Sequence, residues 1–301
     1  MARLTQQQLE AHLWGAANIL RGRTAGQDYK TYILSLMFFK RLSDQWDFEA
    51  DDKIVQMERE RGKPFTDAQR NALRARGDLH RFKIPTDCHW SDVLKASENV
   101  GEVLTSAMRG VATANKELVG VFTVDWNQPA PDGKGKLLAN EVVSALVQHF
   151  HQLNLSNANV QPDVIGRAYE YLIKQFADDA GAKAGEFFTP PEVVDLLIRI
   201  LEPQPGEAVY DPTCGSGGML IHSADFLAEN GHNPDQLRYY GQELNWSTYA
   251  IARINVILHG LEADIRGGKS TIIDPQFLRP DGGVERFDLV IANFPFSQDF
   301  W

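Results

Sequence analysis

Apolar residues recur at helical spacing near the start of the chain. Leu13, Ala17 and Leu20 repeat every three or four positions, and residues 29–40 are apolar on nearly every side. The first pattern predicts an amphipathic helix, and the second predicts a helix buried in a core or against a partner. Residues 49–81 are charged with both signs mixed, which indicates a solvated helical excursion or a loop rather than a nucleic-acid patch.

Two further amphipathic helices are predicted over residues 140–153 and 164–176. A Pro/Gly-rich stretch at 127–135 indicates the loop before them. No strand pattern occurs in this half of the sequence. We therefore predict a helical N-terminal domain over residues 1–160.

The period of the pattern changes after residue 206. Short apolar runs that suit strands alternate with helical segments, at residues 208–210, 237–243, 264–266 and 287–292. The last run is apolar on both faces, as a buried parallel strand is. Strands that alternate with helices predict a doubly wound, Rossmann-like α/β sheet over residues 161–301.

The stretch at residues 211–218 reads Asp-Pro-Thr-Cys-Gly-Ser-Gly-Gly and joins the first predicted strand to a helix. Glycines suit a turn that needs positive φ or a close approach to a ligand. The alternative is a plain βα turn without a ligand. Because the stretch lacks the Gly-Lys-Ser/Thr ending of a phosphate loop, a nucleoside triphosphate is not indicated.

Glu243 ends the second predicted strand, 25 to 30 residues after the glycine turn. A carboxylate at such a position can accept hydrogen bonds from both hydroxyls of a ribose. Asp211, the glycine turn and Glu243 therefore predict an adenosine-sized pocket, for S-adenosylmethionine or for a dinucleotide. The Gly-x-Gly-x-x-Gly spacing of dinucleotide sites is absent.

Asn293 follows the fourth predicted strand and is succeeded by Phe-Pro-Phe. Ordinary turn chemistry is one explanation. The other is that the Asn293 oxygen and a backbone carbonyl accept hydrogen bonds from an adenine amine, which turns its lone pair toward an incoming methyl group. Phe296 could then stack on a base flipped out of the duplex.

The residues before the sheet predict a helix start. Thr189 is expected to be the N-cap, with Pro190 in the first helical position and Glu192 closing a capping box. Phe187 and Phe188 either staple this cap or line a ligand pocket. The helix is expected to bury five apolar residues, namely Val193, Leu196, Leu197, Ile200 and Leu201.

Composition limits the partners and the compartment. The chain has 301 residues, 43% hydrophobic and 23% charged, with two cysteines and a net charge of −10. We expect a cytoplasmic protein with no membrane segment, no disulfide framework and no metal site, since the cysteines and histidines are scattered. An acidic chain binds DNA poorly by itself, so a basic partner is expected if DNA is the substrate.

These features together resemble the methylation subunits of type I restriction–modification systems, which make N6-methyladenine in DNA. The resemblance covers nearly the whole chain and runs in the family's order, through residues 13–21, 29–44, 168–173, 187–190, 211–218, 243 and 293–296. It implies an S-adenosylmethionine-dependent methyltransferase sheet behind a helical domain.

The resemblance also implies site residues and partners. Contacts to S-adenosylmethionine would come from Glu186, Phe187, Phe188, Thr189, Pro190, Pro191, Asp211, Gly215, Ser216, Gly217, Gly218 and Glu243. The target adenine would be held by Asn293, Pro295 and Phe296. Two methylation subunits work in this family with one DNA-specificity subunit, which reads double-stranded DNA, and optionally with a restriction subunit.

The chain departs from the family's pattern in three places. Phe294 stands where the family usually has proline, and Lys269 stands where an Asp or Asn often binds the cofactor's adenine. The family's sheet continues past the fourth strand, so we expect this chain to lack the family's C-terminal part. A non-catalytic remnant that binds cofactor or a protein partner is therefore the alternative to a methyltransferase subunit, and an oxidoreductase is disfavoured by the glycine spacing.

Overall fold

The computed structural model describes residues 3–21, 29–130, 133–180 and 189–294. The chain divides into two compact units, Met1–Val164 and Ile165–Trp301. Within the described ranges, no helix combines the length and the apolar character that crossing a membrane requires.

The first unit is built from helices. They are α1 (Gln6–Leu20), α2 (Tyr29–Arg61), α3 (Asp67–Arg74), α4 (Trp90–Lys95), α5 (Val100–Ala114) and α6 (Asn140–His151). A capping box starts α1, because Gln8 N donates to Thr5 Oγ1 and Thr5 N donates to Gln8 Oε1. Leu13, Ala17 and Leu20 are fully buried, which confirms the amphipathic pattern.

The first half of α2 is buried nearly all round, as its apolar sequence predicts. The burial includes Lys40, which is 3% exposed and forms an ion pair with Asp44 one turn later. Burial lowers the pKa of Lys40 and raises the pKa of Asp44. Asp44 also accepts a hydrogen bond from Leu155 N at 2.6 Å. The same carboxylate therefore binds the ammonium group of Lys40 and the backbone of the loop after α6.

Residues 49–81 are largely helical, and their charged side chains are exposed or partly exposed. They form the second half of α2 and the short α3, and Arg70 of α3 pairs with Glu58 of α2 at 2.6 Å. The prediction of a solvated helical excursion is confirmed for this stretch.

The second unit is an α/β layer structure. Its elements are α7 (Pro162–Ala180), α8 (Pro191–Leu201), β1 (Ala208–Asp211), α9 (Gly218–Glu229), β2 (Arg238–Glu243), α10 (Trp246–Leu258), β3 (Ala263–Gly267) and β4 (Leu289–Val290). The four strands are parallel and lie in the order β3-β2-β1-β4. The mixed class, helices followed by a small parallel sheet, is as predicted.

The core of this unit lies between the sheet and the three helices α8, α9 and α10. It contains Val194, Ile198, Val209, Leu220, Ile221, Leu227, Tyr239, Ala252, Val256, Ile265 and Ile291. Each βα connection returns its helix to the sheet, so the carboxyl ends of the strands face the turns that lead into the helices.

The predictions for the helix α8 were wrong about its cap and about part of its buried face. The helix α8 begins at Pro191, its N-cap is Pro190, and no side chain caps it, so Thr189 is not the cap. Its core-facing residues are Val194 and Ile198, with Leu197 and Leu201 packed against the same core as predicted. The other apolar face is exposed in the part of the chain that the structure describes, at Val193, Leu196 and Ile200.

The fourth strand is shorter than its apolar run predicts. Only Leu289 and Val290 pair with β1, followed by a hydrogen bond from Ile291 N to Tyr210 O at 3.0 Å. Val290 is 54% exposed, so this strand is not buried on both faces. Apolar sequence alone overstated both its length and its burial.

Candidate functional site

The polar groups predicted to bind a ligand lie at one edge of the sheet. Asp211 is the last residue of β1 and Glu243 is the last residue of β2, while Asn293 comes three residues after β4. The register pairs Asp211 with Gly241 and Tyr210 with Val290. Because the strands are parallel neighbours, all three polar residues leave the sheet at its carboxyl edge, where open α/β sheets bind ligands.

The glycine turn owes its shape to two positive φ angles. Gly215 has φ +54° and Gly217 has φ +81°, and Gly217 is the N-cap of α9. The turn is closed by a hydrogen bond from Gly217 N to Cys214 O at 2.7 Å, and Cys214 N donates to Gln242 O at 3.0 Å. The N-terminus of α9 therefore opens at this edge, with its first amides available to a ligand.

Cys214 packs tightly on the neighbouring strand. A Cβ placed on Gly241 would lie 3.0 Å from Cys214 Sγ and 3.1 Å from Cys214 Cβ. A side chain at position 241 would therefore require Cys214 to shift by a few tenths of an ångström. Burial raises the pKa of the Cys214 thiol well above its ordinary value, so the group stays neutral.

Glu243 ties the turn to the second strand. Its Oε2 accepts a hydrogen bond from Gly215 N at 3.0 Å, and its Oε1 accepts one from Asn245 N at 2.8 Å. Asn245 is also the N-cap of α10. Burial raises the pKa of Glu243, although the backbone hydrogen bonds lower it. Each carboxylate oxygen keeps acceptor capacity for a ligand hydroxyl.

Asp211 is more deeply buried, at 2% exposure. Burial raises its pKa to about 7, opposed by the hydrogen bond from Thr213 N at 3.0 Å and assisted by the charge of Glu243. The Thr213 hydroxyl is buried beside it without a hydrogen-bond partner among the described residues. An unpaired polar atom in such a place suits a site that a ligand completes.

Two neighbouring buried carboxylates define the chemistry that this edge can accept. Desolvation disfavours their charged forms, so a cation or a hydroxyl donor gains by binding beside them. The carboxyl edge of the sheet can therefore accept hydroxyl or cationic groups of a ligand.

The side chain of Asn293 is held by Thr189, which the sequence had predicted to cap the following helix. Its Nδ2 donates to Thr189 Oγ1 at 3.1 Å, across 104 positions of the chain. The side chain is half-buried, and Phe294 beside it is 50% exposed. The Thr189 hydroxyl thus orients the Asn293 amide and does not cap α8.

The predicted site residues divide into two groups. The structure brings Asp211, Gly215, Ser216, Gly217, Gly218 and Glu243 to one turn, and joins Asn293 to Thr189 beside Pro190 and Pro191. Five predicted residues lie outside the described ranges, namely Glu186, Phe187, Phe188, Pro295 and Phe296.

The structure adds two residues that the sequence analysis did not single out, Gln242 and Asn255. Gln242 is fully buried, and its amide donates to Lys269 O at 3.0 Å and to Asp274 O at 3.2 Å, so it fixes the loop after β3. The Lys269 side chain pairs with Asp274 at 2.9 Å. Asn255 on α10 donates to Ser216 O at 3.1 Å, so the helix α10 also contacts the glycine turn. The sequence offered one signal for Asn255, because it is a polar residue inside an otherwise apolar helix.

Comparison with known proteins matches both parts of the chain to family models. Residues 9–150 match the HsdM N-terminal domain, and residues 160–301 match the N-6 DNA Methylase domain. The chain is 31% identical to the type I restriction enzyme MjaVIII methylase subunit of Methanocaldococcus jannaschii, over 90% of this chain and 45% of that protein. It is 25% identical to the MjaIX methylase subunit of the same organism, over 98% of this chain and 52% of that protein.

Two solved structures share the fold. The type I restriction–modification methyltransferase subunit of Streptococcus thermophilus has a TM-score of 0.72 and 26% identity, over 98% of this chain and 64% of that one. A modification subunit of a type I restriction enzyme from Vibrio vulnificus has a TM-score of 0.64 and 20% identity, over 99% of this chain and 62% of that one. The chain spans about half the length of the curated relatives above. With both halves matched in order, this chain belongs to the family of type I restriction–modification methylase subunits.

Proposed function

We propose that this chain is the part of a DNA adenine-N6 methyltransferase that binds S-adenosylmethionine and the target adenine. The relatives' names describe methylase subunits of type I restriction enzymes, which supports the reaction class. In that reaction, an N–C bond forms on the exocyclic amine of a flipped-out adenine, an S–C bond breaks, and the amine loses a proton to water.

The observation that carries the proposal is the hydrogen bond from Asn293 Nδ2 to Thr189 Oγ1. An amide whose nitrogen is engaged presents its oxygen as the free acceptor. Asn293 Oδ1 would accept an N–H of the adenine amine, and this withdraws the nitrogen lone pair from the ring and makes it nucleophilic. Fixing this acceptor in advance lowers the barrier by orientation rather than by strong base catalysis.

The residues present fit S-adenosylmethionine. This cofactor carries a sulfonium and an ammonium group and supplies the methyl group when bound. Glu243 would accept the ribose hydroxyls with the acceptor capacity left by its two backbone partners. Asp211 would favour the cationic end of the cofactor, and the amides of Gly215 to Gly218 would bind its polar groups.

The family resemblance extends this site beyond the described residues. Glu186, Phe187 and Phe188 would complete the cofactor pocket next to Thr189, Pro190 and Pro191. Pro295 and Phe296 would hold the adenine ring by stacking beside Asn293. These roles are proposals that rest on the matching motifs.

We propose that DNA is reached through other subunits. With a net charge of −10, the chain supplies little of the phosphate neutralisation that non-specific DNA affinity needs. A specificity subunit would read double-stranded DNA, in an assembly with a second methylation subunit and optionally a restriction subunit.

Titration calorimetry tests the cofactor site on the chain itself. We expect S-adenosylmethionine to bind in a 1:1 ratio and to be displaced by S-adenosylhomocysteine. Glu243→Gln should weaken binding at least tenfold, since it removes a charge-assisted acceptor. Glu207→Gln is the matched control, because Glu207 also accepts a backbone amide, from Gln204 at 2.8 Å, but at the opposite end of β1. Absence of binding by the unaltered chain would contradict the proposal.

Methyl incorporation into DNA tests the reaction. We expect labelled methyl groups on adenine when the chain is combined with a specificity subunit of its own system. Asn293→Ala should abolish transfer and leave cofactor affinity unchanged. Normal cofactor binding without transfer by the unaltered complex would instead favour a non-catalytic module.

A further inference from the structure

The loop that follows β3, residues 268–276, is held to the sheet by the side chain of one residue of β2. Gln242 is fully buried, and its amide nitrogen donates to Lys269 O at 3.0 Å and to Asp274 O at 3.2 Å. Its amide oxygen accepts from Gln276 N at 3.0 Å. Both hydrogens and the oxygen of this amide are therefore engaged by a single loop.

The same end of β2 also binds the glycine turn. Gln242 O accepts from Cys214 N at 3.0 Å. The next residue, Glu243, accepts from Gly215 N through its carboxylate and from Gly268 N, at 2.9 Å, through its backbone carbonyl. The turn after β1 and the loop after β3 therefore meet on the last two residues of β2.

The tip of the loop is held by polar contacts rather than by burial of its apolar side chains. Ile272 and Ile273 are 69% and 70% exposed, so they do not anchor the tip in the core. Thr271 Oγ1 donates to Pro212 O, which joins the tip to the residue after β1. Because burial contributes little here, loss of the Gln242 hydrogen bonds would loosen the attachment of the loop to the sheet.

We propose that Gln242 is a positioning residue that holds the loop 268–276 as one wall of the S-adenosylmethionine site. The inference rests on the proposed function, because that function places the cofactor between the glycine turn and Glu243. A loop bonded to the backbone of Glu243 and of Pro212 borders that position. Gln242 is fully buried, so it acts through the loop and not by contact with the cofactor. A wall that is already in place spares the cofactor the cost of ordering the loop, which raises the affinity.

The test compares the unaltered 301-residue chain with three variants. Gln242→Met keeps about the same side-chain length and removes the three hydrogen bonds to the loop. Thr271→Val removes the hydroxyl that joins the loop to Pro212 and leaves the buried glutamine in place. Tyr239→Phe is the matched control, because Tyr239 is a buried residue of the same strand. Its hydroxyl donates to a backbone carbonyl, Pro234 O at 2.7 Å, but at the other end of β2.

Two readouts are measured on the chain itself and one on the complex. Calorimetry gives the dissociation constant for S-adenosylmethionine, and NMR gives the exchange rate of the Gln276 amide hydrogen, which is bonded to Gln242. Methyl transfer to DNA, with a specificity subunit present, gives KM for S-adenosylmethionine and kcat separately. A residue that only stabilises the fold would not raise KM while leaving kcat unchanged.

We expect Gln242→Met to weaken cofactor binding roughly tenfold and to speed exchange at Gln276. KM for the cofactor should rise by the same factor, with kcat at saturating cofactor within about twofold of the unaltered complex. Thr271→Val should weaken binding about threefold, since it removes one hydrogen bond to the same loop. Tyr239→Phe should leave binding within about twofold.

Equal losses of binding in Gln242→Met and Tyr239→Phe would indicate a general loss of stability and would overturn the inference. Faster exchange at Gln276 with unchanged binding would overturn it too, because the loop would then lie outside the cofactor site, while the proposed function would stand. If Gln242→Met does not fold, unchanged binding in Thr271→Val overturns the inference. If the unaltered chain does not bind the cofactor, the proposed function fails and this inference fails with it.

Discussion

Asn293 and Thr189 are joined by a hydrogen bond of 3.1 Å although 104 positions separate them in the chain. The bond runs from the loop after β4 to the residue two positions before α8. It gives the Asn293 amide a single preferred orientation. Under the proposed function, a target base that enters the site would therefore meet an acceptor that is already placed.

The first prediction concerns this hydrogen bond. Thr189→Val keeps the shape of the side chain but removes the hydroxyl, so the Asn293 amide loses its restraint. We expect kcat for methyl transfer, measured at saturating S-adenosylmethionine, to fall about tenfold. Thr113→Val is a matched control, since Thr113 is exposed on α5 and its hydroxyl only donates to Arg109 O. An unchanged kcat in Thr189→Val would show that the bond does not orient the amide.

The second prediction concerns pH. Burial raises the pKa of Asp211 to about 7, whereas an unfolded Asp titrates near 3.9. Between these values the folded state binds more protons than the unfolded state, so this group's stabilising contribution is full below about pH 4. It is lost as pH rises to about 7, at up to ~1.4 kcal/mol per unit.

Asp211→Asn should flatten that decline while keeping the acceptor for Thr213 N. The measurement is the free energy of urea unfolding between pH 5 and pH 8. Asp288→Asn serves as the control, because Asp288 accepts from Ala208 N at the other end of β1 and is half-exposed. Parallel curves for the Asp211 variant and the unaltered chain would contradict the assignment.

The third prediction compares two adjacent glycines. Gly217 has φ +81°, so Gly217→Ala should cost about 1–2 kcal/mol of unfolding free energy through backbone strain. Its Cβ would lie 3.5 Å from Val256, an ordinary contact, so a clash is not the cause. Gly218 lies in the first turn of α9, and its nearest neighbour would be 4.0 Å away. Gly218→Ala should therefore be neutral or slightly stabilising, and urea unfolding measures both.

The fourth prediction concerns the buried ion pair of the first unit. Asp44→Ala leaves the Lys40 ammonium buried without its main partner and also removes the acceptor for Leu155 N. We expect a loss of about 3–5 kcal/mol in unfolding free energy. Lys40→Met also leaves a buried group without its ion partner, but it keeps the hydrogen bond from Leu155 N to Asp44, so its cost should be smaller. Equal losses in the two variants would mean that the Leu155 hydrogen bond adds nothing to the stability.

The sequence predicted the parts of the site that depend on strand ends. Asp211 and Glu243 each follow an apolar run, and in a parallel sheet neighbouring run ends meet at one edge. The turn that follows Asp211 reaches Glu243 through the hydrogen bond from Gly215 N to Glu243 Oε2, which agrees with that expectation. The glycine turn was also predicted, because positions that need positive φ are usually occupied by glycine, which can be seen in the sequence.

The parts that the sequence could not give depend on long-range contacts. Thr189 has the local signature of an N-cap, and only the tertiary position of Asn293 engages its hydroxyl elsewhere. The helix α8 is apolar on two faces, so periodicity could not say which face meets the core. Nothing in the sequence around Asn255 indicates that it contacts Ser216, which lies 39 positions away.

The contact between Gly241 and Cys214 restricts how this site could change through mutation. An alanine at position 241 would crowd the Cys214 side chain, and glycine at position 214 would leave a void under the turn. Each change made alone therefore carries a packing cost that the other change can offset. A library that randomises both positions together should return a larger share of folded members than one that randomises position 241 alone.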